Sequence, residues 1–278
     1  MTQIKITKMH GCGNDFVFMD YDEFQKTGLA IDILAKKLCD RHFGIGADGL
    51  IIPVPYEGED ADIAWHYYNS DGTTAQMCGN GMRCFAKYVY EHNLVDKKSF
   101  SVKTLAGIIK PQILDNGLIK VNMGTPILED SRIPFKGERT ISIKDKIFEV
   151  NPVSMGNPHC VIFTEEEPLY LAQTYGPELE KHPYFPEKTN VEFVRVKSKN
   201  EVDMCVYERG CGITLACGTG ACATVVACVL NNLTNNNVAV NLSGGAVKVE
   251  WEGSKSNPDK DIFLIGPAQY VFYADFML

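Results

Sequence analysis

An internal duplication constrains the fold of this chain more than any other feature of its sequence. The segment Met77-Cys78-Gly79-Asn80-Gly81 recurs as Ala216-Cys217-Gly218-Thr219-Gly220, and the two cysteines are 139 positions apart (217 − 78), half of the 278 residues. A second segment recurs in the same order, because Gly13-Asn14-Asp15-Phe16 resembles Gly156-Asn157-Pro158-His159. Repeats in register predict that the two halves of the chain adopt the same fold.

The composition is that of a folded globular protein. Hydrophobic residues make up 45% of the chain and charged residues 22%, which excludes a mainly disordered or fibrous protein. A net charge of −8 argues against a broad basic surface for nucleic acid. The longest nearly apolar run, residues 221–230, is about half of the ~20 residues that a membrane-spanning helix needs. We therefore expect a protein that binds neither nucleic acid nor a membrane.

Ten cysteines raise the questions of disulfide bonds and metal binding. Only Cys217 and Cys222 have the spacing of a zinc-binding pair, and no second pair accompanies them, so we expect no metal site. The first residues alternate apolar and polar side chains, which predicts a strand rather than a secretory signal. We expect a cytoplasmic protein with reduced thiols, most of which are buried as small hydrophobic side chains: Cys39, Cys160, Cys205 and Cys228.

Short runs of alternating polarity predict strands, and they outnumber the helical patterns. The predicted strands are 4–7, 63–67, 139–143, 191–196, 238–242 and 246–251, and the predicted helices are 31–40, 80–92, 169–181 and 219–230. The last helix is apolar almost all round, so it has no solvated face and must be enclosed. We expect an α+β fold with two pseudo-symmetric halves, each a β-barrel-like mixed or antiparallel sheet wrapped around a central helix.

Each Cys-Gly-x-Gly turn precedes a predicted helix, and this position has chemical consequences. Glycine lets the backbone approach a ligand, while the first amide groups of a helix point outward without intrahelical partners. The positive end of the helix dipole favours anions and is expected to lower the pKa of a cysteine placed there. The duplicated turns predict that Cys78 and Cys217 flank one bound carboxylate, one sulfur removing an α-proton and the other returning a proton to the opposite face. No nucleotide or zinc motif accompanies them, so we expect no cofactor.

The sequence resembles the diaminopimelate epimerase family over nearly its whole length. The resemblance is carried by Met9-His10-Gly11-Cys12-Gly13-Asn14-Asp15-Phe16, Tyr68-Asn69-Ser70-Asp71-Gly72, Gln76-Met77-Cys78-Gly79-Asn80-Gly81-Met82-Arg83-Cys84, Met155-Gly156-Asn157-Pro158-His159, Thr189-Asn190-Val191 and Tyr207-Glu208-Arg209-Gly210 with the second Cys-Gly-x-Gly turn. It implies a cofactor-independent isomerase that interconverts LL- and meso-2,6-diaminopimelate in lysine and peptidoglycan precursor synthesis. It also implies a homodimer, with Tyr273 at a possible dimer contact.

The site residues follow from the same resemblance, position by position. Cys78 and Cys217 correspond to the catalytic acid/base pair, and His159 and Glu208 to positions that tune the pKa of the thiols. The substrate-binding residues that the resemblance implies are Asn14, Asn69, Gly79, Asn80, Asn157, Asn190, Glu208, Arg209, Gly218 and Thr219. These residue types suit a substrate with two ammonium and two carboxylate groups, because a guanidinium fork matches a carboxylate.

The resemblance also indicates the domain organisation and one departure from the family pattern. Residues 1–122 with 268–278 are expected to form an N-terminal half that carries the Cys78 turn, and residues 123–267 a C-terminal half that carries the Cys217 turn. The active site is expected in the cleft between the halves. Family members often carry Gln where this chain has Gly49, so any contact from that side chain is absent here.

Two other functions remain open on the sequence. A proline or hydroxyproline racemase shares the duplicated fold and the paired cysteines, although Arg209 favours a substrate with a second carboxylate. A non-enzymatic metal or redox module would use the ten cysteines differently.

Overall fold

The computed structural model describes residues 2–74 and 77–278, so Gln76 of the first Cys-Gly motif lies outside the described residues. The chain divides into two compact units, Met1–Val121 with Gly266–Leu278 and Asn122–Ile265. Each unit contains one large mixed sheet and its own helices.

The first unit is built on a seven-stranded sheet. Its elements are β1 (Gln3–Gly11), β2 (Asn14–Phe18), α1 (Tyr21–Thr27), α2 (Ile31–Cys39), β3 (Gly49–Val54), β4 (Ile63–Asn69), α3 (Gly79–Glu91), β5 (Val102–Thr104), β6 (Gly107–Ile109), β7 (Pro111–Ile113) and β8 (Ile119–Asn122). The last strand of the chain, β19 (Gln269–Met277), pairs antiparallel with β1. The strand order is β19-β1-β2-β3-β4-β5-β6, and β7 pairs with β8 as a hairpin.

The second unit repeats this plan. Its elements are a short 3₁₀ turn (Asp130–Arg132), β9 (Thr140–Ile143), β10 (Lys146–Glu149), β11 (Asn151–Ser154), β12 (Pro158–Phe163), α4 (Pro168–Leu179), β13 (Asn190–Ser198), β14 (Glu201–Glu208), β15 (Gly212–Ile213), α5 (Gly218–Leu230), β16 (Asn237–Leu242), β17 (Gly245–Trp251) and β18 (Ile262–Gly266). Its strands run in the order β11-β12-β13-β14-β16-β17-β18, while β9 and β10 form a separate hairpin.

The two units share one pattern of strand pairing, which confirms the pseudo-symmetric α+β fold. From β1 to β6 successive pairs are antiparallel, parallel, antiparallel, parallel and antiparallel. From β11 to β17 the pairs alternate in the same way. In each unit a helix lies between the second and third of these strands, and a helix that begins after a Cys-Gly turn lies between the fourth and fifth.

The helices α3 and α5 are the enclosed ones. Helix α3 packs against β1, β2 and β3, and α5 packs against β11, β12, β13 and β17. In α5 all residues from Gly220 to Val229 are buried, as its nonpolar sequence predicts. The C-cap residues of the two helices are His92 and Asn231, each followed by an asparagine with positive φ. Within the described part of the chain, no helix is long and apolar enough to cross a membrane.

The remaining helices cover the other face of each sheet. Side chains of a strand alternate between faces, so Val191 and Phe193 of β13 join the apolar cluster around α4. Glu192, between them, points to the opposite face, where its carboxylate lies beside Gly220 at the start of α5. Helix α2 packs on β3 in the same manner and buries Leu34 and Leu38.

Candidate active site

Cys78 occupies the N-cap of α3, as the Cys-Gly-x-Gly turn predicts. Its Sγ accepts a hydrogen bond from the Gly81 amide at 3.4 Å, so the sulfur lies over the first turn of the helix. The thiol donates to Asn14 Oδ1 at 3.6 Å. The residue is half-buried.

The amide of Asn14 is oriented by a carboxylate that the sequence did not single out. Asn14 Nδ2 donates to Asp48 Oδ2 at 2.7 Å, so its Oδ1 faces Cys78. Asp48 is in turn paired with Arg41 at 2.8 Å. Because an amide nitrogen only donates and an amide oxygen only accepts, this contact fixes which end of Asn14 meets the thiol.

Asn80 joins the same cluster through a buried arginine. Asn80 Nδ2 donates to Asn14 Oδ1 at 3.2 Å, while Asn80 Oδ1 accepts from Arg83 Nη1 at 2.9 Å. Arg83 is fully buried and also donates to the Pro267 carbonyl at 3.1 Å. The structure therefore brings Asn14, Cys78 and Asn80 together within the first unit.

Asn69 lies near this cluster on β4, beside a tyrosine that the sequence did not indicate. The Tyr67 hydroxyl donates to Asn69 Oδ1 at 3.0 Å. Burial, together with the neighbouring Cys78, raises the pKa of Tyr67 above its usual value. A Cβ atom at Gly49 would lie 2.6 Å from the Tyr67 ring, so the Gln that family members often carry could not be accommodated without moving this ring.

Cys217 has the same position in the second unit, at the N-cap of α5. Its Sγ accepts from the Gly220 amide at 3.4 Å and lies 3.5 Å from Thr219 Oγ1. Gly220 is required here, because a Cβ atom at this residue would lie 2.7 Å from the carboxylate of Glu192. Unlike Cys78, Cys217 is buried.

The lowered thiol pKa that the helix dipole predicts is wrong for Cys217. Burial raises the pKa of this thiol well above its usual value, and the negative charges of Glu208 and Glu192 raise it further. Hydrogen bonds from Thr219 and from the Gly220 amide lower the pKa of the thiol, but their effect is smaller than that of burial. At neutral pH Cys217 is therefore a thiol.

Glu208 is the last residue of β14 and lies close to Cys217. Burial raises the pKa of its carboxyl group, and a short hydrogen bond from the Thr214 hydroxyl opposes that shift. In the described ranges, no group of three or more His, Cys, Asp or Glu side chains is arranged to hold a metal ion.

Asn157 and His159 flank the second cysteine on the side of β12. His159 is fully buried, with Nε2 3.0 Å from Asn157 Oδ1 and Nδ1 2.7 Å from Glu192 Oε1. Asn157 Nδ2 donates to Thr219 Oγ1 at 3.4 Å. These contacts bring His159, Asn157, Thr219 and Cys217 together.

Asn190 and Arg209 have different environments, although both are in the predicted set. The buried amide of Asn190 donates to the Pro158 carbonyl and accepts from the Arg209 backbone amide, both at 2.9 Å, so it holds two loops in place. The exposed Arg209 side chain donates to the Glu187 carbonyl at 3.2 Å and leaves other guanidinium donors for a ligand.

Comparison with known proteins identifies the family. The family model for diaminopimelate epimerase matches residues 6–129 and 152–271. The chain belongs to the diaminopimelate epimerase family. Among its relatives, the diaminopimelate epimerases of Halothermothrix orenii and Desulfitobacterium hafniense are each 46% identical over 97% of this chain and 96% of their own length. The Heliobacterium modesticaldum diaminopimelate epimerase is 42% identical over 99% of this chain and its whole length.

Solved structures of proteins from other families are similar in fold to this member of the diaminopimelate epimerase family. A PhzF-family phenazine biosynthesis protein from Bacillus anthracis aligns over the whole of both chains with a TM-score of 0.73 and 16% identity. A hydroxyproline epimerase from Agrobacterium vitis aligns over 99% of this chain and 93% of its own with a TM-score of 0.71 and 13% identity. At such identities the likeness concerns the fold alone.

Proposed function

We propose that this protein interconverts LL- and meso-2,6-diaminopimelate without a cofactor, using Cys78 and Cys217 as the two acid/base groups. The observation that carries the proposal is that each half places one cysteine at the N-cap of its enclosed helix. Membership of the diaminopimelate epimerase family supports the substrate. The product belongs to lysine and peptidoglycan precursor synthesis.

The proposed reaction is an inversion of one α-carbon by two proton transfers. A thiolate removes the α-proton from one face, and the electron pair left on carbon is delocalised into the substrate carboxylate. The amides of Gly79, Asn80, Gly218 and Thr219 lie at helix N-termini, where they can stabilise that developing charge. The opposite thiol then gives its proton to the other face of the carbon.

The surroundings of Cys217 favour its protonated form. Cys217 is buried beside the carboxylates of Glu208 and Glu192, which hold it as a thiol. We therefore assign the resting acid to Cys217.

The polar groups around the two cysteines suit a dicarboxylate diamine better than proline. Asn14 and Asn157 lie beside the sulfurs, Glu208 can pair with an ammonium group, and the exposed Arg209 can bind a second carboxylate. Proline has no second carboxylate for Arg209. This difference favours diaminopimelate over the racemase alternative.

Side-by-side assays on LL-diaminopimelate and L-proline test this proposal. Purified protein in reducing buffer, with no added cofactor and with a metal chelator present, is expected to convert LL-diaminopimelate to the meso form and to leave L-proline unchanged. Chiral chromatography of both reactions measures the products. Racemised proline with unchanged diaminopimelate would instead support the alternative function.

We propose that the protein is a cytoplasmic homodimer. Cys39, Cys84, Cys160, Cys205, Cys217 and Cys228 are buried as thiols, which suits a reducing compartment. The edge strand β19 exposes several large hydrophobic side chains, a composition typical of contact surfaces: Val271, Phe272, Tyr273 and Met277. Sedimentation at micromolar concentration distinguishes a dimer from a 30.9 kDa monomer.

A further inference from the structure

A chain of hydrogen bonds connects a buried carboxylate to Cys217 within the second unit. Glu192 Oε1 lies 2.7 Å from His159 Nδ1, and His159 Nε2 lies 3.0 Å from Asn157 Oδ1. Asn157 Nδ2 donates to Thr219 Oγ1 at 3.4 Å, and that oxygen lies 3.5 Å from Cys217 Sγ. We call these five residues the Cys217 relay.

The amide of Asn157 sets the direction of the two hydrogen bonds that it makes in the Cys217 relay. An amide oxygen only accepts, so His159 Nε2 must carry a proton. An amide nitrogen only donates, so Thr219 Oγ1 accepts from Asn157. The proton of the Thr219 hydroxyl is then available for a different acceptor, and the Cys217 sulfur lies within its reach.

Glu192 anchors the far end of the Cys217 relay. The side chains of Glu192 and His159 are both 0% exposed. Within the part of the chain that the structure describes, Glu192 Oε2 has no hydrogen-bond partner. A buried carboxyl group is costly unless it is paired, so its contact with His159 is the interaction that compensates for its burial. That contact fixes the orientation of the imidazole ring.

We propose that Glu192 is a positioning residue, which acts through His159 and Asn157 to direct the Thr219 hydroxyl proton at the Cys217 sulfur. A donated hydrogen bond stabilises a thiolate more than a thiol, because the thiolate carries a full negative charge. The relay therefore makes the ionised form of Cys217 accessible.

Such a device is needed because the surroundings of Cys217 oppose its ionisation. The titratable groups that face it in the second unit are Glu208, Glu192 and His159. Burial and the two carboxylates raise the pKa of the thiol, and the Thr219 hydrogen bond lowers it. The inference rests on the proposed role of Cys217 as an acid that also becomes a base, but thiol ionisation can be measured without any substrate.

The test uses two variants of Thr219 and the rate at which methyl methanethiolsulfonate modifies Cys217 between pH 7 and pH 9, where the protein stays folded and the rate is proportional to the thiolate fraction. Thr219→Val keeps the shape but removes the hydroxyl, whereas Thr219→Ser keeps the hydroxyl. In Thr219→Val the pKa of Cys217 should rise by roughly one unit, which gives about tenfold slower modification throughout this range. Thr219→Ser should stay near the wild-type rate, and the modification rate of Cys78, quantified in the same samples by peptide mass spectrometry, should not change.

Two variants of Glu192 test the anchor. Glu192→Leu and Glu192→Gln both remove the negative charge that raises the pKa of Cys217, but only Glu192→Gln keeps a side chain that can hydrogen-bond to His159. Modification of Cys217 should therefore be about threefold or more slower in Glu192→Leu than in Glu192→Gln. If Glu192→Leu does not fold, Glu192→Asp, which keeps the charge but withdraws the carboxyl group by one methylene, should be modified more slowly than the wild-type protein.

The outcomes that overturn the proposal are distinct from failure of the proposed function. A Cys217 modification rate that is unchanged in Thr219→Val means that the hydroxyl does not donate to the sulfur. Equal rates in Glu192→Leu and Glu192→Gln, or a wild-type rate in Glu192→Asp, mean that Glu192 positions nothing. Modification that is faster in Thr219→Val than in Thr219→Ser, or faster in Glu192→Leu than in Glu192→Gln, indicates a loosened site and also contradicts the relay. None of these readings depends on diaminopimelate.

Discussion

Replacing Cys78 or Cys217 with alanine should abolish epimerisation of diaminopimelate. In the proposed mechanism alanine removes the group that accepts or delivers a proton on one face of the α-carbon, and a positioned acid or base contributes about 10²- to 10⁴-fold to such a step. Because both transfers are needed in each direction, each single variant should lose at least ~10³-fold in kcat. Initial rates of meso product formation at pH 8 measure the loss.

Matched controls lie in the same two helices. Cys84 in α3 and Cys222 in α5 are fully buried and serve packing, so Cys84→Ala and Cys222→Ala remove a sulfur without touching either helix N-terminus. Both variants should retain most of the wild-type rate and lose only stability, about 1 kcal/mol each. Full activity in Cys78→Ala or Cys217→Ala would remove that cysteine from the mechanism.

The protein should lose its stability steeply above pH 9, under reducing conditions. Burial raises the pKa of Cys39, Cys84 and Cys228 to about 12 and that of Cys205 to about 11. In the unfolded chain these thiols ionise near pH 8.5, so above that pH the unfolded state holds fewer protons than the folded state. Each thiol then weakens the folded state by ~1.4 kcal/mol per pH unit until its folded pKa is reached.

The four thiols together lower the free energy of unfolding by about 5 kcal/mol per pH unit, which is comparable to the whole stability of an ordinary domain. Urea unfolding at pH 8, 9 and 10 measures the slope. Cys228→Ala is the control, because it removes one of these thiols and should reduce the slope by ~1.4 kcal/mol per pH unit. A free energy of unfolding that stays constant up to pH 10.5 would show that these thiols do not resist ionisation.

Much of the fold was predictable from local patterns. The nonpolar sequence of residues 221–230 predicted an enclosed helix, and α5 begins within one residue of its predicted start because Cys217 and the glycines mark the N-terminus. The duplicated turns predicted the repeated halves, which the matching strand pairings confirm. Helix α1 was missed, because its seven residues bury no side chain and give no amphipathic pattern.

The residues around the cysteines were harder to predict from sequence. Asp48 orients Asn14 from 34 positions away, and Glu192 holds His159 from 33 positions away, so neither contact follows from local spacing. A charged residue between the apolar Val191 and Phe193 was the one available indication for Glu192. The pKa of Cys217 was predicted with the wrong sign, because burial depends on the whole unit whereas the helix dipole can be inferred from the turn.

The central claim is that two thiols act on opposite faces of one carbon, and initial-rate epimerisation in heavy water tests it most directly. An acid that is already exchanged with solvent delivers deuterium to the inverted carbon, while substrate that has not turned over keeps its hydrogen. The account therefore predicts singly deuterated meso product and unlabelled residual LL-diaminopimelate at early times. Deuterium appearing equally fast in the recovered substrate would indicate a single base serving both faces, and would contradict it.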